Sequence, residues 1–271
     1  MELRSEWIEY PSAGTPIRAY FARPVPAAEA PLPAVVVIQE IWGVDDHIQD
    51  VTCRIASAGY TALAPDLYSR DRQEALQPER IGAAKAFLNG LPPGAWGNPA
   101  DRDAALARLP EPARGQVSAS LGALFSGGRN TGQFLADLRG AVAYLAALPG
   151  CAGRRIGSVG FCMGGALSAQ LACTEPGISG AAVFYGSSPA AEQAAQARCP
   201  LSGFYGALDT RITAGVPAFE AAVRSAGGSF ASHVYPEAPH AFFNDTRPSY
   251  RVEAARDAWA RLLGFFAQTL A

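Results

Sequence analysis

The stretch Arg155-Ile156-Gly157-Ser158-Val159-Gly160-Phe161-Cys162-Met163-Gly164-Gly165 constrains this chain most. Ile156 and Val159 are strand-forming residues, and the small apolar run over 166–172 suits a helix. Gly160, Gly164 and Gly165 remove side chains where a strand must turn abruptly into that helix. The pattern is a glycine pair flanking a nucleophile position, here filled by cysteine. Such a turn lifts the central side chain out of the sheet and leaves it at a helix N-terminus. The dipole and unpaired N–H groups there favour negative charge, on a thiolate or on an oxyanion. Read alone, the motif has an equally simple explanation. Glycine-rich turns pack tightly, and a cysteine in one serves as a small buried residue.

The order of elements around that stretch narrows the fold. Residues 6–10 and 17–22 alternate in polarity across Pro11-Ser12-Ala13-Gly14 and predict an antiparallel pair at a sheet edge. A proline-rich loop fills 24–33. The runs 34–38 and 61–65 are continuously apolar, as strands buried on both faces are. Between them Asp45 or Asp46 can cap a helix from about His47 to Ala58, with Gly59 to end it. Helical patterns recur over 83–88, 101–109, 134–148, 213–226 and 250–267, and strands over 179–185, 200–206 and 229–235. The long irregular segment 91–99, rich in Pro, Gly and Trp, suits a lid or binding loop. Strand and helix alternate from residue 34 onward. The expected fold class is α/β, with a mostly parallel sheet and helices on both faces.

Composition closes several alternatives. Apolar residues make up 49% and charged residues 17%, so there is ample material for a core. A formal net charge of -2 gives no pull toward nucleic acid or anionic membrane. Five cysteines at wide spacing, with no C-x-x-C, fit neither a disulfide framework nor a zinc site. No apolar run reaches the ~18 residues of a membrane span. The polar start Met1-Glu2-Leu3-Arg4-Ser5-Glu6 lacks the apolar region of a signal peptide. The expectation is a single cytoplasmic domain over 1–271, monomeric or homodimeric. It would need no cofactor and no metal, and would bind neither nucleic acid nor membrane. A lid or insertion is expected at about 90–130.

In a parallel sheet, ligands meet the loops at the carboxyl ends of the strands, and three such loops carry suitable chemistry. Cys162 follows one strand. Asp209 follows another, in Gly206-Ala207-Leu208-Asp209-Thr210, and His240 follows the last, in Glu237-Ala238-Pro239-His240-Ala241-Phe242. A thiol nucleophile needs a base near neutrality, and that base needs a partner to fix its tautomer. The chain has three histidines. His233 falls inside the last strand, where a structural role fits. His47 opens a helix, either as a solvated cap or at the mouth of the site. His240 is the expected base, with Asp209 as its partner.

Several separated motifs, in order, resemble the dienelactone hydrolase family of α/β-hydrolases. They are Gln39-Glu40-Ile41-Trp42-Gly43, Ala64-Pro65-Asp66-Leu67-Tyr68, Gly160-Phe161-Cys162-Met163-Gly164-Gly165 and Pro239-His240-Ala241-Phe242. The resemblance implies an α/β-hydrolase fold with about eight strands. It implies Cys162 as nucleophile, His240 as base and Asp209 as orienting acid. The backbone N–H groups of Ile41 and Met163 would form the oxyanion hole, and Glu40 would match a buried glutamate that contacts the resting thiol. A carboxylate among apolar neighbours needs such a reason to be there. Family members that bind an anionic substrate place an arginine four residues after the histidine, whereas this chain has Asn244 there and Arg247 next. Arg70, Arg72 and Arg80 are other candidate contacts. Trp42, Trp96, Phe242 and Phe243 are candidate pocket walls. The expected activity is hydrolysis of small-molecule carboxylic esters or lactones. The alternatives are a thioesterase or peptidase on the same residues, or a non-catalytic binding scaffold.

Overall fold

The computed structural model describes residues 2–25, 31–92, 95, 98–125 and 130–271. Two compact units are present: Met1–Leu67 with Thr131–Ala271, and Tyr68–Asn130.

The first unit is built on an eight-stranded sheet of order β1-β2-β4-β3-β5-β6-β7-β8. β1 (Glu2–Ser12) and β2 (Thr15–Val25) form a hairpin in full register, closed by Ala13 and Gly14, both at positive φ. That is the two-residue turn whose twist matches paired strands. The hairpin runs well beyond the alternating segments, because backbone pairing continues to the turn whatever the side chains. β2 joins β4 (Thr61–Pro65) antiparallel, and every later pairing is parallel. β3 (Ala34–Ile38), β5 (Ile156–Phe161), β6 (Ile178–Phe184) and β7 (Leu201–Gly206) are apolar and almost wholly buried, whereas the edge strand β8 (Phe230–Tyr235) is half-exposed.

Helices cover both faces. α1 (Asp46–Ser57) and α10 (Val252–Thr269) share one apolar cluster with Val35, Val37, Val159, Phe161 and Phe184. Successive strand side chains point to opposite faces, so Ser158 faces away from that cluster. It meets Ser168 of α6 (Met163–Thr174) through a buried 2.8 Å hydrogen bond. α5 (Thr131–Ala147) also packs on the sheet. Asp45, and not Asp46, caps α1: its carboxylate accepts from the Ile48 N–H at 3.2 Å. Short helices α7 (Ala191–Ala194) and α8 (Thr210–Thr213) precede α9 (Val216–Ser225).

The second unit holds helices α2 (Pro78–Asn89), α3 (Pro99–Leu106) and α4 (Ala113–Phe125). α2 packs on α4, and Ser120 donates to the Ala75 carbonyl at 2.8 Å. α4 has no counterpart in the sequence reading. Its buried positions, Val117, Ser120, Leu121 and Leu124, follow helical spacing, but a serine stands in the apolar row and glycines interrupt the rest. Trp96 and part of the 24–33 and 91–99 loops lie outside the described residues. Among the described residues no helix is long and apolar enough to cross a membrane.

Candidate active site

The β5–α6 turn is made by close backbone approach. A Cβ at Gly160 would overlap the Gly164 carbonyl, and one at Gly164 would overlap the Ile38 carbonyl. With those side chains absent, helix α6 starts directly against the ends of β3 and β5. Cys162 stands between them at φ 56 and ψ -113, a conformation L residues rarely adopt. Such a backbone costs on the order of 1–3 kcal/mol and persists only where its surroundings enforce it. The Cys162 N–H donates to the Phe184 carbonyl at 3.0 Å, and its own carbonyl accepts from Ala166 at 3.2 Å. The side chain is left partly exposed at the N-terminus of α6.

The acid and the imidazole arrive on two neighbouring strand ends. Ala207 N–H donates to the Tyr235 carbonyl at 2.9 Å, and Leu208 N–H to the Ala238 carbonyl at 3.1 Å, so the β7 and β8 loops are laced together. His240 Nδ1 and Asp209 Oδ2 are 2.5 Å apart. The Asp209 side chain is nearly buried, and the His240 ring keeps 38% of its surface exposed. The Cys162 thiol acts on the same ring. Burial opposes charge on His240, but the hydrogen bond to Asp209 and the interaction with Cys162 outweigh it and push the imidazole up to about 10. Tyr185 packs edge-on to the ring at 5.1 Å, and Ala241 beside it adopts φ 59.

Glu40 lies just beyond the end of β3 and is 2% exposed. Its Oε1 accepts from the Tyr185 hydroxyl at 3.1 Å and its Oε2 from Asn244 Nδ2 at 2.9 Å. Gln39, before it, accepts the Leu67 N–H at 3.1 Å. Ile41 lies in the tight turn bridged by Glu40 and Gly43, and Met163 is the first residue of α6. Trp42 is 4% exposed, with the Arg247 guanidinium 5.5 Å from its ring.

Other expected residues fall elsewhere. Phe242, read as a pocket wall, has no exposed surface. It packs against Tyr185 and Tyr235 in the core, because the strand-end loop turns its ring inward. Phe243 is likewise buried, stacked on Phe161. His47 is not a solvated cap: its ring lies edge-on to Phe161 and Phe243. His233 stacks on Phe204, and burial lowers its affinity for a proton. Arg70, Arg72 and Arg80 belong to the 68–130 unit, where Arg80 pairs with Glu74 at 2.6 Å. Among the described residues no His, Cys, Asp and Glu cluster suits a metal ion. The sequence reading missed Tyr185 and the role of Asn244 toward Glu40. Tyr185 directly follows β6 at the carboxyl edge of the sheet, the position where such residues are to be sought.

Known proteins are similar to this one over nearly the whole chain. A protein of Saccharolobus solfataricus, provisionally named carboxymethylenebutenolidase, is 38% identical over 259 residues, covering 95% of this chain and 96% of its own. One of Escherichia coli strain K12 with the same provisional name is 33% identical over 269 residues, covering 95% and 84%. A crystal structure of a provisionally named dienelactone hydrolase from Klebsiella pneumoniae matches with a TM-score of 0.75 at 32% identity, covering 99% of this chain and 100% of the other. The dienelactone hydrolase family model matches residues 17–270, and this chain is a hydrolase belonging to that family.

Proposed function

We propose that the protein hydrolyses small carboxylic esters or lactones through a covalent thioester on Cys162. One observation carries the reading: a strained, partly exposed cysteine at a helix N-terminus and a buried aspartate act on the same imidazole. In this reading the thiol proton passes to His240 and the sulfur attacks the substrate carbonyl. The backbone N–H groups of Ile41 and Met163 receive the oxyanion, a form of stabilisation worth roughly 3–4 kcal/mol per donor. Collapse of the tetrahedral species breaks the C–O bond, and His240 gives its proton to the leaving alkoxide. Water then transfers a proton to His240 as its oxygen attacks the thioester. The acid is released, the sulfur departs, and the pair regains its starting proton. Asp209 fixes the ring so that Nδ1 faces the carboxylate and Nε2 serves the chemistry.

For a lactone the alcohol stays tethered to the acyl group, so ring reclosure competes with water. The test is Cys162→Ala assayed on p-nitrophenyl acetate and a panel of lactones. Turnover should fall by about 10³-fold or more, as when a nucleophile is removed. Unchanged turnover would overturn the proposal.

A further inference from the structure

We infer that the ring of Tyr185 is the wall that sets the His240 imidazole, so that Nε2 is held where the proton transfers need it. The inference rests on His240 being the base, and names the residue that positions it. Asp209 fixes one ring nitrogen, Nδ1. One hydrogen bond fixes a point and not a plane: the histidine side chain keeps two rotatable bonds, and small turns about them displace the far atom, Nε2. Solvent gives the ring room to turn, since 38% of the His240 side chain is exposed. Against it stands Tyr185, 1% exposed, with ring centres 5.1 Å apart and planes at 61°. That is the edge contact that aromatic rings prefer.

Tyr185 is itself fixed at both ends. Its N–H donates to the Phe204 carbonyl at 2.8 Å and its hydroxyl to Glu40 at 3.1 Å. Between these anchors the ring meets Phe242 edge-on at 5.6 Å. The backbone at 185 has φ 40, a left-handed conformation that a bulky residue rarely takes. Close packing imposes it. A Cβ at Gly186 would overlap the Ala166 nitrogen and the Gly165 carbonyl carbon, so the chain leaving β6 runs directly against the start of α6. The side chain thereby spans from the end of β6 to Glu40 beyond β3. A strained residue kept at such a point is a pointer to function. Burial keeps the Tyr185 hydroxyl protonated, so the residue is neutral. It guides the imidazole by shape, while Asp209 and Cys162 supply the charge that acts on the ring. Tyr185 is a positioning residue: it acts through His240.

The experiment compares Tyr185→Leu with Tyr185→Phe. Both lose the hydroxyl and its bond to Glu40, and they differ in the flat ring. kcat/KM on p-nitrophenyl acetate should be about 30-fold or more lower in Tyr185→Leu than in Tyr185→Phe, with the loss in kcat, because a misplaced base costs rate and not binding. The alkaline limb of the pH profile should lie lower in Tyr185→Leu, as the imidazole slackens its bond to Asp209. In proton NMR the His240 Nδ1–H should stay sharp in Tyr185→Phe and broaden in Tyr185→Leu. Tyr185→Met, which also lacks a flat edge, takes the place of Tyr185→Leu if that variant fails to fold by circular dichroism. Equal kcat/KM in the ring-less and Phe variants would overturn the inference. So would coincident alkaline limbs, or a His240 resonance equally sharp in both. The resonance reads the ring whether or not Cys162 is the nucleophile, so failure of the thioester proposal and failure of this one are told apart.

Discussion

Two histidine–aspartate pairs stand in the same unit, and they are built in opposite ways. His240 and Asp209 meet at 2.5 Å on adjacent strand-end loops, with the ring partly exposed and a thiol acting on it. His47 and Asp245 approach only to 3.5 Å, with the His47 side chain buried and Asp245 45% exposed. Neither His47 nitrogen makes a hydrogen bond among the described residues, and the ring's neighbours are Phe161 and Phe243. An imidazole beside a carboxylate is thus not yet a site. The chemistry needs a second nitrogen that is reachable, and a reacting atom placed against it.

The sharpest way to break this contrast is to neutralise each acid in turn. Asp209→Asn should lower kcat/KM on p-nitrophenyl acetate by about 10³-fold or more, because the imidazole loses the partner that sets its tautomer. Asp245→Asn should stay within about twofold, as half-exposed surface carboxylates usually do. Comparable losses in the two variants would erase the distinction.

A smaller effect lies in the pH profile. With His240 raised to about 10, activity should persist through the neutral range and fall as pH rises through about 10. There the pair loses the proton that the leaving alkoxide must receive. The bond to Asp209 raises the imidazole, so Asp209→Asn should move this alkaline limb downward in the residual activity. The limb reports the Cys162–His240–Asp209 cluster and not one residue. A limb that does not move would place its origin elsewhere.

The smallest effect is expected at His47. Replacing a buried polar group that lacks partners by an apolar one of similar size is close to neutral or stabilising. His47→Leu should leave turnover within about twofold and the Tm unchanged or higher by a few degrees, read by calorimetry. A large loss of activity would give the second pair a role that its geometry does not suggest.

Much of the frame was legible in the residues. The continuous apolar runs at 34–38 and 61–65 became fully buried strands, because such runs have no polar face to show to water. The Gly160–Gly165 turn was legible because overlap forbids side chains there. The helix over 113–125 was not, since its buried row is broken by Ser120 and its exposed row contains glycines. Local pattern assigns such a segment poorly, and packing against α2 decides it. Phe242 was misread as a pocket wall for a similar reason. A phenylalanine beside a site looks the same in sequence whichever way its loop turns.

By itself the sequence determined the alternation of strand and helix, the glycine turn carrying Cys162, and the identity of three strand-end loops rich in reactive groups. These are local properties, fixed by sterics and by the period of apolar residues. Only the tertiary structure decided which loops adjoin. It decided that His240 and not His47 meets its carboxylate in a hydrogen bond, and that Tyr185 and Asn244 close on Glu40. Those contacts join residues up to 204 positions apart. No local propensity encodes such a distance; strand order and core packing set it.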